Sequence, residues 1–130
     1  MWRNSLICLA ILATTVRITH LLEVRESPRW SVLIGDAGRY HEWGAEIAAG
    51  DWIGRGTFYQ APLYPYWIGT VYSLTGPDPV LLRWVQAGDG VLACVILAMA
   101  GREFFGSRAG WIAGFSLAIS PAELFHETLI

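Results

Sequence analysis

Val80-Leu81-Leu82-Arg83-Trp84-Val85-Gln86-Ala87-Gly88-Asp89-Gly90-Val91-Leu92-Ala93-Cys94-Val95-Ile96-Leu97-Ala98-Met99-Ala100 reads as one membrane-crossing helix. About 20 apolar residues, rising 1.5 Å each, cover the hydrocarbon core of a bilayer. Its polar residues Arg83, Gln86 and Asp89 recur every three positions, so they form a stripe slanting down an otherwise apolar cylinder. Ionisable groups at membrane depth are costly and turn toward a cavity or a partner. Arg83 can either snorkel to the interface or line a site. Asp89 lies deeper, where pairing with Arg17 or another helix competes with a direct functional role.

Two further apolar runs flank this one. Asn4 to Leu22 has the length of a span, with Arg3 at its start. Arg17 and His20 occupy the place where a small-residue cleavage site would lie, so the segment reads as a retained anchor rather than a signal peptide. Ala109 to Phe125 reads as a third, slightly short span with Gly110-x-x-x-Gly114 and a kink at Pro121. Composition agrees: of 130 residues, 54% are hydrophobic and 15% charged, clustered rather than alternating. Seven tryptophans and five tyrosines suit the lipid–water interface. A formal charge of -2 and the lack of a basic cluster argue against nucleic acid. Cys8 and Cys94 both fall in apolar runs and read as packed thiols.

Between the first two spans, Glu23 to Ala61 is polar, with six acidic residues and four arginines. Ala37 to Ala49 reads as a short helix with Asp36 as its N-cap and Gly50 after its end. Tyr40, Trp43, Ile47 and Ala48 share one face, and Arg39, Glu42 and Glu46 the other, as in a helix lying along a membrane surface. Pro62 to Leu74 is apolar but too short to cross, and reads as a second interfacial helix. The expected fold is all-α: a single polytopic membrane domain over residues 1–130, with about three transmembrane helices and two juxtamembrane amphipathic helices in the first outer loop. If Pro62 to Leu74 stays at the interface, Arg3, Arg102 and Arg108 all face the cytoplasm, and Asp36, Glu123, His126 and Glu127 share the outer side.

Asp36 is explained by capping alone, yet a cap also fixes a carboxylate where a general base is needed. Glu123 and Glu127 lie one turn apart beside His126, either as a hydrated helix end or as a second acidic group across a cavity from Asp36. A zinc-protease pattern fails because position 130 is Ile130. Phosphate-binding glycine loops, Cys-x-x-Cys pairs and nucleophile elbows are missing from the sequence.

The order of short motifs resembles a known family. Asp36 followed by Arg39-Tyr40, then Gly50-Asp51-Trp52, Tyr59-x-Ala61-Pro62-Leu63-Tyr64-Pro65-Tyr66-Trp67, Thr75-Gly76, Arg83 with Gln86, Gly101-Arg102-x-Phe104-Phe105-Gly106 and Ser120-Pro121 is similar to the N-terminal part of membrane glycosyltransferases with the GT-C fold. The likeness is nearest to bacterial relatives of the protein O-mannosyltransferases and lipid A aminoarabinose transferase, the group that includes the RgtA/B/C/D-like domain. Position 37 is Ala where many relatives carry Glu, and relatives are several times longer, so the chain reads as the N-terminal fragment of a longer enzyme. The resemblance implies transfer of a hexose or pentose from a polyprenyl-phosphate donor to a hydroxyl of a lipid, glycan or protein acceptor, on the outer face of the cell membrane. It implies Asp36 as catalytic base and Glu127 as an acidic group shaping the site. Arg83 is then a candidate for the donor phosphate, with Arg39 and Tyr64 as further substrate contacts. The chemistry requires no cofactor, although two outer carboxylates could bind a divalent ion. Other readings also fit the residues: a small non-enzymatic membrane subunit that docks a partner through its glycine faces, or a truncated inactive transferase, and, third in order, a transporter fragment using Arg83 and Asp89.

Overall fold

Asp78 starts the central helix. Its carboxylate accepts from the backbone N–H of Val80 at 2.8 Å and of Leu81 at 3.4 Å, and Pro79 supplies the fixed φ of a first helical residue. In the computed structural model, which describes residues 2–33, 35–53 and 61–130, every regular element among them is helical. The first helix, α1, covers Trp2–Arg25 and is followed by a single 3-10 turn at Pro28–Trp30. The next two, α2 (Asp36–Ala48) and α3 (Leu63–Thr75), form a hairpin. The central helix, α4, runs Pro79–Phe105, and α5 (Ser107–Ala118) and α6 (Pro121–Thr128) complete the chain. Tyr59, part of the quoted motif, lies outside the described residues.

Two of these helices, α1 and α4, are long and apolar enough to cross a membrane. At 24 and 27 residues they measure about 36 and about 40 Å. They run antiparallel: the Arg102 guanidinium lies 4.9 Å from the Trp2 ring centre, Leu9 packs with Cys94, and Arg83 reaches the carbonyl of Trp30. Arg3, Arg102 and Arg108 therefore gather at one end of the pair, and Asp36 lies toward the other.

The expected third span is two helices. After α5, about 18 Å long, the backbone is extended at Ser120 and restarts as α6 at Pro121. Pro121 has no N–H to continue the ladder and disfavours a helical conformation at the residue before it, so the sequence breaks where a kink was expected. The two pieces together return along α4. Gly110 rests on Ala98 and Arg102, Gly114 on Cys94 and Ala98, Glu127 beside Gly90, and Thr128 against Arg83.

Each long contact uses residues four apart, as interlocking helical ridges require. The first helix buries Leu9, Ala13, Arg17 and Leu21; α4 buries Gln86, Gly90, Cys94 and Ala98; α5 buries Gly110, Gly114 and Ala118. A Cβ on Gly110 would fall 2.7 Å from the Arg102 nitrogen, and one on Gly114 would fall 2.6 Å from Leu9 Cδ2. The Gly110-x-x-x-Gly114 face is thus occupied inside the chain, where small residues let backbones approach. The opposite faces present Ile7, Ile11, Ile18, Leu92, Ile96 and Ile112 outward.

The hairpin closes by a reciprocal fit. Ile68 fills the space over Gly44, where a Cβ would sit 2.9 Å from Ile68 Cβ, and Ile47 fills the space over Gly69, with the corresponding separation 2.7 Å. Along α2 the sequence reading holds: Ile47 is buried, Tyr40, Trp43 and Ala48 are half-buried, and Arg39, Glu42 and Glu46 are exposed. The third helix, about 20 Å long, meets α4 in its first turns, through Tyr72 with Leu82 and Tyr64 with Gln86. It caps one end of the α1–α4 pair instead of running beside it.

Candidate functional site

Asp36 is the first residue of α2, and Gly35 holds the cap position with φ 66° and ψ -124°. Such a positive φ suits glycine. The expected cap hydrogen bond from Asp36 is not made, because one residue earlier the chain turns through Gly35 and no side chain caps the helix. The carboxylate is therefore exposed and uncommitted to capping. It opens on a cavity of about 510 Å3 that it shares with Tyr40, Tyr64, Gln86 and His126, floored by Leu129 and Ile130.

Each wall has a local cause. Tyr64 is fixed by an edge-on contact with Tyr40, with ring centres 5.0 Å apart, and by stacking on Trp67 at 5.9 Å. Its hydroxyl accepts from the amide of Gln86, whose Nε2 also donates to the Leu129 carbonyl at 3.3 Å. Burial pushes the Tyr64 hydroxyl up to about 12, so it remains a phenol that can donate a hydrogen bond. Behind it, His41 Nδ1 and the Tyr72 hydroxyl lie 2.8 Å apart, and burial likewise pushes Tyr72 up to about 12.

Tyr64, Gln86 and His126 also line a second chamber, of about 370 Å3, which continues to Asp89, Glu123 and the pair Arg17–Glu127. Arg17 is buried at 2% exposure inside α1, and its Nη2 donates to Glu127 Oε1 at 2.7 Å. The ion pair rests on Gly90, where a Cβ would fall 2.5 Å from both Arg17 Nε and Glu127 Cδ. Burial raises the Glu127 carboxyl above its ordinary value, opposed by the hydrogen bond and charge of Arg17. Arg17 thus pairs with Glu127 and not with Asp89, the partner its depth suggested.

On the other side, Ala37, Leu129 and Ile130 separate the Asp36 cavity from a third one of about 460 Å3, lined by His20, Val32, Leu33, Arg83, Phe125 and Thr128 among others. Arg83 is 3% exposed, with Nε donating to the Thr128 carbonyl at 3.1 Å, Nη1 to the Trp30 carbonyl at 2.9 Å, and its guanidinium 4.5 Å from the Trp30 ring centre. Among the described residues no carboxylate pairs with it.

The site residues read from sequence thus fall into neighbouring compartments. Asp36 and Tyr64 share one cavity, Tyr64 and Glu127 the acidic chamber, and Arg83 the cationic one. Arg39 is exposed on the outer face of α2 and lines none of the three. The linking role of Gln86 and His126 and the contribution of His20 were not assigned from sequence; a polar residue inside a long apolar helix is the signal that points to Gln86 and His20. Among the described residues, no three His, Cys, Asp or Glu side chains converge as a metal site. Cys8 is exposed, Cys94 is buried, and both are free thiols. No family model matches the chain, and neither a curated protein nor a solved structure matches it.

Proposed function

We propose that the chain carries the base-bearing part of a membrane glycosyltransferase acting on a polyprenyl-phosphate sugar. The observation that carries this reading is the position of Asp36: an uncapped carboxylate at the mouth of a cavity flanked by a cation-lined compartment and an acidic one. In the reaction, Asp36 accepts the proton of the acceptor hydroxyl as that oxygen bonds to the anomeric carbon. The bond from that carbon to the phosphate oxygen breaks, its electron pair leaves with the polyprenyl phosphate, and the configuration inverts. Arg83 and His20 balance the phosphate charge, and the apolar side chains Val32, Leu33 and Phe125 accompany the first isoprene units. Tyr64 donates a hydrogen bond to the sugar or the acceptor.

The reaction belongs at the outer surface of the cell membrane, with the hairpin as a lid at the lipid–water boundary. Supporting this orientation, Arg3, Arg102 and Arg108 share the opposite end of the α1–α4 pair. The reading of the glycine faces as a docking surface is less favoured, because Gly110 and Gly114 are already packed against α4. Transfer of labelled sugar from a polyprenyl-phosphate donor in proteoliposomes, comparing the native protein with Asp36→Asn, tests the proposal. Equal transfer by the two removes Asp36 from the mechanism.

A further inference from the structure

Among the described residues, the buried guanidinium of Arg83 has no counter-charge. Two of its nitrogens, Nε and Nη1, donate to the Thr128 and Trp30 carbonyls. The third, Nη2, makes no hydrogen bond with a described residue and is not sealed in protein. Of the three cavities, Arg83 lines only the one of about 460 Å3, so its free N–H groups open there. Among the described residues no Asp or Glu side chain lines that cavity, and the Thr128 hydroxyl is engaged by the Phe125 carbonyl at 2.8 Å. A buried cation without a counter-charge is costly, and a guanidinium with a free edge suits a phosphate oxygen. The mouth is apolar: Val32, Phe125 and Leu129 line the cavity and are exposed. Depth completes the picture. A helix of about 40 Å exceeds a hydrocarbon core of about 30 Å, so a residue about 6 Å in from its start, as Arg83 is, meets the headgroup boundary.

We propose that this cavity holds the headgroup phosphate of an anionic phospholipid of the surrounding bilayer, whose chains leave past Val32, Phe125 and Leu129. The phosphodiester brings the negative charge that Arg83 lacks, whereas in a zwitterionic lipid the choline cancels it. On the transfer reading of Asp36, such a lipid occupies the place of the donor phosphate and competes with it. The inference rests on that reading for this consequence alone. Lipid binding is measured without any donor, and Asp36→Asn is expected to leave it unchanged, so each reading can fail without the other.

The test is native mass spectrometry of the protein in neutral detergent micelles supplied with phosphatidylglycerol or with phosphatidylcholine of the same chains. One phosphatidylglycerol is expected to be retained at least tenfold more tightly than phosphatidylcholine. Arg83→Gln is expected to lose that preference. So is Val32→Asp, which lies outside the helices, leaves the Arg83 hydrogen bonds in place and adds a carboxylate to the mouth. Should Arg83→Gln lose its helical circular dichroism, Val32→Asp decides. The Arg3→Gln/Arg108→Gln double variant, changed at exposed positions of the opposite end, is expected to keep the preference. Excess inorganic phosphate separates the two sources of the anion, and the lipid is expected to stay bound in its presence. Equal retention of the two lipids, a preference that survives Val32→Asp or a folded Arg83→Gln, its loss in the Arg3→Gln/Arg108→Gln variant, or displacement by inorganic phosphate overturns the proposal.

Discussion

Arg17 Nη2 donates to Glu127 Oε1 at 2.7 Å, joining the first helix to the last across 110 positions of sequence. The pair is nearly dehydrated, and it seats α6 on α4 at Gly90. Through it, the position of Arg17 along α1 sets where Thr128, Leu129 and Ile130 lie, and these residues floor or wall the cavities around Asp36 and Arg83.

Breaking that pair from one side leaves a buried charge. Glu127→Leu is expected to cost about 3–5 kcal/mol of stability, and the Arg17→Leu/Glu127→Leu double variant to recover most of it, because paired apolar replacements carry no desolvation penalty. Reversible denaturation in mixed micelles measures both. Equal losses for the single and double variants would mean that packing, and not charge, dominates at this contact.

Glycines should separate by what faces them. Gly110→Ala, whose Cβ would press on backbone of α4, is expected to lose about 1–3 kcal/mol. Gly88→Ala meets nothing within 4 Å and should gain up to about 1 kcal/mol from its better helix propensity. The same denaturation curves report the contrast, and similar losses at the two sites would contradict the close approach of α5 to α4.

Arg83→Lys removes the fork that serves two carbonyls and the face that lies over Trp30. It is expected to lower stability by about 1–3 kcal/mol even in the absence of any donor. Unaltered stability, measured by thermal unfolding in detergent, would show that the carbonyl contacts contribute nothing.

Much of the hairpin was legible because its pattern is local. The period of Tyr40, Trp43, Ile47 and Ala48 predicts the buried face of α2, and the length of Pro62 to Leu74 predicts a helix that does not cross. The central helix was equally readable, although it runs on to Phe105 until Gly106 turns through φ 88°. Ser120-Pro121 marked an irregularity, but whether proline kinks or divides a helix depends on the packing of the following turn, here Glu127 and Thr128 against α4. The pairing of Arg17 was not legible, since Asp89 and Glu127 are both reachable by composition and only the tertiary path of α6 chooses between them. The cavities were beyond reach for the same reason: each is lined by helices far apart in sequence.

Orientation has its own test. In a Cys8→Ser background, a membrane-impermeant maleimide added to intact cells is expected to label Ser31→Cys, beside the hairpin, and to spare Ser107→Cys at the opposite end. The reverse pattern would place the Asp36 cavity in the cytoplasm.

Asp36 is proposed to remove the acceptor proton. The rate of sugar transfer per correctly inserted molecule, compared between the native protein and Asp36→Asn in proteoliposomes with a polyprenyl-phosphate sugar donor, measures it most directly. A fall of about 10²–10⁴-fold is expected, the usual contribution of a positioned general base, with helical content and insertion unchanged. Transfer by Asp36→Asn at the native rate would contradict it.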